Sequence, residues 1–454
     1  MKCRRRNITE RVWHHIGLGV LMAGALLLPV SGSTAAADTI ELTLEDGLQL
    51  AMEKNHSIKE SESDLDSAKW SWKETRCSFG PAVSWSMTAK HFGGKAYQST
   101  EDRHEFSHDL ELSIPLYTSG KLENKSRAAE ANLSAAVLAL ENEKQTIRKT
   151  VTKDYFDILK YRSQVQVYQD SVDNLQAHLA NVNAQYRVGT VAKSDVLSSE
   201  VSLANERQNL VSSQNDYDVA VASFNNDVGL ATDTVTIIKD ELSYTRHGFV
   251  LEECESYALL HRPDLLEQKY LVKEYQAEME AAKAGTGLQL SGTAARSFAG
   301  TGLLSDNHAG SDAWSIGFSA SWNVFDNQVT KAQVKEKEAA WHKAQESALA
   351  QADTVQLEVR TAYLDLIAAE KNIKTLQESL EKAKEDYRIE QARYSAGVGT
   401  NLDVLDAEEK LCSAQGNYVS ALYTYNVSKA SLDKAMGLPV ELAVEKYQAD
   451  LDKR

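Results

Sequence analysis

Ile316-Gly317-Phe318-Ser319-Ala320-Ser321-Trp322-Asn323-Val324 sets Ile, Phe, Ala, Trp and Val at even positions against Gly, Ser, Ser and Asn at odd ones. A period of two puts these sets on opposite faces of a β-strand. Val83–Ala89, Phe106–Ile114 (broken only at His108) and Leu288–Ala294 share the pattern. With a residue or two added at each end, each approaches the roughly ten residues with which a tilted strand crosses an outer membrane. A half-buried sheet in a soluble domain alternates in the same way, so the surrounding sequence has to decide.

The surroundings are helical on an unusual scale. Leu133, Val137, Leu140, Ile147, Val151, Ile158, Val165, Tyr168, Val172, Leu175, Leu179, Val182 and Tyr186 are separated by threes and fours or their sums, a sustained heptad-like seam. Lys121 to Tyr186 as one helix is about 100 Å long, more than a compact domain holds. Of the 5 prolines, none lies between Pro115 and Pro263 or between Pro263 and Pro439, so nothing breaks such helices. Taken alone, these helices describe a coiled-coil rod, and a structural or adhesin-like surface protein is the competing reading. Four alternating strands beside them favour a membrane duct.

The chain repeats itself. Tyr186-Arg187-Val188-Gly189 aligns with Tyr394-Ser395-Ala396-Gly397, and at the same offset Tyr155 aligns with Tyr363 and Asp157 with Asp365. Asp195-Val196-Leu197 aligns with Asp403-Val404-Leu405, and Gly229-Leu230 with Gly437-Leu438. A period this long marks duplication of a whole structural unit. The expected divisions are a signal peptide at 1–37, a first repeat at 38–230, a linker at 231–248, a second repeat at 249–438 and a tail at 439–454. Each repeat runs through a helical segment (Leu44–Thr75, Leu251–Lys283), two strands, a very long helix, a glycine turn and a shorter helix. The linker carries a β-like patch at Thr234–Ile238.

Arg4, Arg5 and Arg6, the apolar run Gly17–Val30 and the small residues Ala35-Ala36-Ala37 have the form of a cleaved secretory signal. The run is shorter than the ~20 residues of a membrane-spanning helix. The net charge is −16, and removing the signal takes away Lys2, Arg4, Arg5, Arg6 and Arg11 against Glu10 alone. So acidic a chain excludes nucleic acid as a partner. Cys77, Cys254 and Cys412 form neither a disulfide framework nor a zinc pattern, and read as spare thiols, with one oxidised pair as the alternative. The sequence has no phosphate loop, nucleophile elbow or metal-ligand pattern, so it is read as no enzyme, with no cofactor. A duct without an NTPase motif is passive.

An unpaired sheet edge is forbidden in lipid, and the smallest outer-membrane barrels have ~8 strands. A chain with four strands therefore shares its barrel with at least one further copy. Tyr97–Arg103 and Gly300–Asp312 would be its outer loops. Trp85, Trp314, Trp322 and Phe325 would seat in the interfacial aromatic girdle.

Together these features resemble the TolC-like outer-membrane efflux family across about Leu42–Leu438. The residues that carry the resemblance are the turns Tyr186–Thr190 and Tyr394–Thr400, the helix starts Ser194-Asp195-Val196-Leu197 and Leu402-Asp403-Val404-Leu405-Asp406, and the passages Ile114–Tyr117 and Trp322–Phe325. The resemblance implies an α+β fold: a β-barrel shared by a homotrimer, four strands per chain, continuous with an α-helical periplasmic barrel. It implies an exit duct of a tripartite efflux or type I secretion system in the outer membrane. Val188, Gly189, Thr190, Ala396, Gly397, Val398 and Gly399 would then be tips that meet a periplasmic adaptor and, through it, an inner-membrane pump. It also implies a gate. An aspartate at Asp195 would bond across to Tyr394, and Asp403 and Asp406 would form acidic, cation-attracting rings. Read from the residues alone, Asp195 and Asp403 are helix caps.

One position departs from the family. Its best-studied member has an arginine where this chain has Gly399, so the closed state is held differently here. The purified protein is expected to show a higher resting single-channel conductance than relatives with the arginine; an equally low conductance would refute this.

Overall fold

The computed structural model describes residues 39–94, 104–246, 248, 250–300 and 312–440. The signal-like segment, Tyr97–Arg103, the interior of Gly300–Asp312 and the tail beyond Val440 lie outside the described residues. In chain order the elements are β1 (Thr39–Leu42), α1 (Leu44–Lys54), α2 (His56–Cys77), β2 (Ala82–His91), β3 (His104–Tyr117), α3 (Lys121–Arg187) and α4 (Lys193–Asp227). Then come β4 (Val235–Ile238), α5 (Leu251–His261), α6 (Pro263–Lys283), β5 (Gln289–Gly300), β6 (Asp312–Ser321), α7 (Val329–Ser395) and α8 (Asn401–Met436).

The four long strands form one antiparallel sheet ordered β2-β3-β5-β6. The helices continue that order. α3 packs between α2 and α6, and α6 packs on α7, so the helix layer next to the sheet runs α2-α3-α6-α7. Farther from the sheet α4 and α8 take the places of α2 and α6, giving α4-α3-α8-α7. The molecule is thus a ribbon four elements wide along its whole length. The helices α3 and α7, each of 67 residues, run through both layers and are about 100 Å long.

Among the described residues no helix covers the apolar face of the sheet. Val83, Trp85, Ile316, Phe318 and Trp314 on the edge strands β2 and β6 are 62–79% exposed. A soluble domain would bury such a face, so the half-buried-sheet reading fails and a lipid-facing sheet remains. The opposite face carries Ser84, Ser86, Thr88, Asp109, Glu111, Ser291, Thr293, Ser315 and Ser319. Trp322 and Phe325 lie just past β6, where the Trp322 indole donates to the Thr286 carbonyl at 3.1 Å. One hydrogen-bonded row links Trp85, Leu110, Arg296 and Trp314; because barrel strands are tilted, it climbs from Trp85 near the start of β2 to Trp314 near the outer end of β6. Trp314 and Trp322 are about 26 Å apart along the strand, or about 20 Å in height at a tilt of ~40°, most of an apolar band ~25 Å tall.

The chain enters both long helices through left-handed residues: Ser119 and Gly120 before α3, Asn327 and Gln328 before α7. Pro115 sits at a register shift in β3, where a residue without an N–H is tolerated.

The helical segments expected as single pieces are each broken in two. Asn55 leaves the helix (φ −59°, ψ 133°), and its side-chain oxygen accepts from the N–H groups of Ser57 and Ile58, capping α2. In the second repeat Pro263 opens α6 and Arg262 ahead of it is extended. Both break residues are buried and point at the closing end of the neighbouring helix. Asn55 donates to the Asp227 carbonyl at 2.8 Å, and Arg262 to the Ala435 carbonyl at 3.3 Å. Arg262 also pairs with Asp264 at 2.8 Å and Glu358 at 2.5 Å. The elements meet here in two equivalent cores, one around Ala51, Ile58, Tyr155, Phe224 and Val228, the other around Ala258, Leu265, Val359, Tyr425 and Leu432. The linker closes the first of these. Its β4 pairs in parallel with β1, a strand absent from the sequence reading, and Asp240 accepts from the Tyr155 hydroxyl.

Cys77, Cys254 and Cys412 are free and lie on three separate helices. Among the described residues no helix is long and apolar enough to cross a membrane.

Gly229 has φ +76°, and a Cβ there would meet the Lys54 Cβ at 2.6 Å. Gly229→Ala is expected to destabilise by about 1–3 kcal/mol, through left-handed strain and overpacking together. Gly189→Ala has equal strain but open space around it, so thermal unfolding should show the smaller loss there.

Candidate functional site

The two helix-to-helix turns lie at the end of the ribbon farthest from the sheet. Both are built by the same device. Gly189 (φ +82°) and Gly397 (φ +75°) stand just past the ends of α3 and α7. The N–H groups of Thr190 and Val398 reach back to the Gln185 and Arg393 carbonyls at 3.0 Å, closing the last turn. The apolar side chains of Val188 (75% exposed), Val398 (70%) and Leu402 (73%) project from the tips into solvent.

Each returning helix carries an aspartate in its first turn. The Asp195 carboxylate accepts from the Ala192 N–H at 3.2 Å. Asp403 accepts from the Thr400 N–H at 3.0 Å and its own N–H donates to the Thr400 hydroxyl at 3.2 Å, a complete capping box. The Thr400 contacts hold the Asp403 carboxyl below the usual carboxylate range, and the Arg393 guanidinium adds to this. Asp406 pairs with Lys410 at 2.6 Å on the same helix.

Tyr394 is buried. Its ring lies 5.0 Å from that of His178, and its hydroxyl has no hydrogen-bond partner among the described residues. Burial raises its pKa, and the charge of Asp195 raises it further. Tyr394 and Asp195 are therefore neighbours, but the Asp195 carboxylate is turned to its cap.

What crosses between the hairpins is a network that the sequence reading missed. Asn401, the first residue of α8, donates through Nδ2 to the Asp195 carbonyl at 3.1 Å. A carbonyl only accepts, so this bond fixes the amide orientation. Asn401 Oδ1 then accepts from the Ser199 hydroxyl at 3.1 Å and faces His178 Nε2 at 2.7 Å. His178 must therefore carry its proton on Nε2. It is buried, and burial lowers its pKa below 6.5. The available signal was a histidine set between the seam residues Leu175, Leu179 and Val182.

A second polar knot sits farther from the tips. Buried Glu408 accepts from the Ser171 hydroxyl at 2.9 Å and the Asn174 amide at 3.4 Å. Burial pushes its pKa up, and so does the charge of Glu206. The Tyr387 hydroxyl is pushed up to about 12 by burial and by Glu408. The Cys412 thiol donates to Glu206 at 3.1 Å. Glu206, Glu408 and Cys412 border an open groove of about 940 Å³ between α3, α4 and α8, which Asp406 also lines.

Gly399 has a local reason. A Cβ there would stand 3.0 Å from the Tyr394 nitrogen and 3.2 Å from Arg393. The tight turn leaves no comfortable room for a side chain at 399, and a positive charge that acts on Asp403 is that of Arg393.

The sequence profile of a family described as outer membrane efflux protein matches residues 47–229 and again 256–438. The cation efflux system protein CusC of Escherichia coli O157:H7 is 24% identical over 403 residues, covering 85% of this chain and 84% of that one. The outer membrane protein TolC of Escherichia coli K12 is 22% identical over 406 residues, covering 86% and 81%. The crystal structure of the Campylobacter jejuni CmeC outer membrane channel superposes with a TM-score of 0.77 at 17% identity, covering 90% of this chain and 89% of that one.

Asn401→Ala leaves the buried His178 N–H without its acceptor, while the Ser199 hydroxyl keeps the Asp195 carbonyl at 2.9 Å, and should cost about 1–3 kcal/mol. Amide hydrogen exchange should quicken at both tips. As pH falls from 6.5 to His178's own lower value, the unfolded chain binds a proton that the folded chain refuses, so stability falls with pH in that window. His178→Gln should remove this part of the pH dependence of the thermal midpoint; an unchanged slope would show that His178 is not held neutral.

Proposed function

The chain belongs to the outer membrane efflux protein family, and from that premise we propose that three copies close into a single exit duct whose hairpin tips receive a periplasmic adaptor. As a family member it is an efflux channel of the outer membrane, with a helical barrel reaching into the periplasm. Its family is one of channels rather than enzymes.

The observation that carries the proposal is the pair of open edges. Among the described residues β2 bonds only to β3, and β6 only to β5. In lipid both outer rows of N–H and C=O groups need partners. The edges differ, so one copy's β6 meets the next copy's β2, a head-to-tail contact that closes as a ring. Three copies give a barrel of about twelve strands, well above the ~8 of the smallest ones. The edge helices carry matching apolar residues: Leu349, Leu357 and Leu364 on α7, and Val211 and Val219 on α4, all 56–67% exposed. These are the seams along which copies pack.

At the tips, exposed Val188, Val398 and Leu402 suit docking of an apolar adaptor surface, with Gly189, Thr190, Ala396 and Gly397 shaping the turns. The Asn401–His178–Ser199 network ties the two hairpins of one chain together. Asp403 and Asp406, one set from each copy, would ring the opening. Opening then means spreading the tips, and the adaptor and an inner-membrane pump supply the energy for it.

Cell fractionation followed by an unheated gel is expected to find a heat-modifiable oligomer in the outer membrane. Native mass spectrometry of the detergent extract should give three times the chain mass. A periplasmic monomer would overturn the reading. A photo-crosslinker at Val188 or Val398 should capture a periplasmic adaptor, whereas the same probe at Leu349 should capture a second copy of this chain.

A further inference from the structure

The outer end of the β2–β3 hairpin carries two histidines that the spacing of the sequence hides. His91 is the last residue of β2 and His104 the first of β3, and they are direct cross-strand partners. Both are exposed. Their rings lie 4.6 Å apart, centre to centre, and are tilted by 35°. We propose that His91 and His104 form a two-imidazole site for a divalent transition-metal cation at the cell-surface mouth of the duct.

The spacing is the first argument. An imidazole nitrogen binds Zn²⁺ at about 2.0–2.1 Å, which places the ion about 3.2 Å from the ring centre. Two imidazoles meeting at the metal at about 90–110° then have centres about 4.5–5.3 Å apart. The observed 4.6 Å falls in this range without any movement of the backbone. The antiparallel ladder supplies the preorganisation, since directly opposed residues point to the same face.

The second argument is position. Along β2, His91 continues the outward set Val83, Trp85, Met87 and Ala89, and His104 continues the set Ile114, Leu112, Leu110, His108 and Phe106. The pair stands three outward rungs beyond the row of Trp85 and Leu110, about 20 Å farther along the strands. β2 from Ala82 to His91 has 10 residues, about the length with which a tilted strand crosses the apolar band, so the histidines at its far end stand at the outer edge of the band, where a hydrated cation has access. Neighbouring His108 is unlike them. It is buried between Trp85 and Phe298, with ring centres 5.9 and 4.6 Å away, inside the apolar band.

Imidazole suits copper, zinc and nickel, and Cu²⁺ binds most tightly of these. Among the described residues no group of three or more His, Cys, Asp or Glu could hold a metal. The site is therefore an open two-ligand chelate whose remaining positions are taken by water. A bound ion would tie β2 to β3 at the last rung of an edge hairpin. The site is independent of which cargo the duct carries.

The test uses the untagged, processed protein in detergent, with Cu(II) as the probe. Electron paramagnetic resonance is expected to show one Cu(II) per chain with two equatorial nitrogens. His91→Ala and His104→Ala should each weaken binding by at least about tenfold and remove one nitrogen. Exposed His342 lies on α7, away from the pair, and His342→Ala should bind as the native chain does. The unheated gel reports whether each variant still assembles, and His91→Gln and His104→Gln replace any alanine variant that does not. Native binding without nitrogen ligation, or binding unchanged in both single variants, would overturn the proposal. Zn(II) titrated by calorimetry should compete with Cu(II); failure to compete would likewise count against a shared imidazole chelate.

Discussion

Everything in this structure answers to the unpaired edges of a four-element ribbon. A sheet edge in water can be hydrated, but in hydrocarbon each unmet N–H or C=O costs several kcal/mol. One chain supplies four strands and leaves β2 and β6 open. The helices inherit the same condition, because each strand runs on into a helix in the same lateral order. The edges continue downward as α2 and α4 on one side and α7 on the other. A single association therefore completes both the membrane barrel and the helical one, and the protomer is a fraction of a duct along its whole length.

Duplication explains how one chain makes a ribbon of even width. Each repeat contributes a strand pair and a long helix with its return. The repeats are stitched by equivalent joints, in which a buried residue at a helix break reaches the end of the returning helix: Asn55 to Asp227, Arg262 to Ala435. The side chains differ while the geometry is kept, because each joint must meet the exposed carbonyls at a helix end. The glycines that finish α4 and α8 pack against these joints, so turn and joint are one unit.

At the hairpin tips the acidic residues have local work. Asp195 and Asp403 cap the returning helices and Asp406 pairs with Lys410. The link between hairpins falls instead to the amide of Asn401, which joins His178, Ser199 and the Asp195 backbone. A neutral network of this kind has little long-range field, so salt should affect it less than a charged lock. Beside it the buried Tyr394 hydroxyl has no partner among the described residues.

The period-two strands, the heptad seam and the internal offset were written in the sequence, and they were enough to fix the elements, the duplication and the need for further copies. Local periodicity and backbone chemistry act over a few residues and are readable there. The glycine turns and the capping role of Asp195 and Asp403 were legible for the same reason. The breaks at Asn55 and Arg262, the β1–β4 pairing, the Asn401 network and the His91–His104 pair were not. Each joins residues far apart in the chain or on opposite sides of a hairpin, and only the lateral packing of the ribbon and the register of its sheet decide which side chains meet.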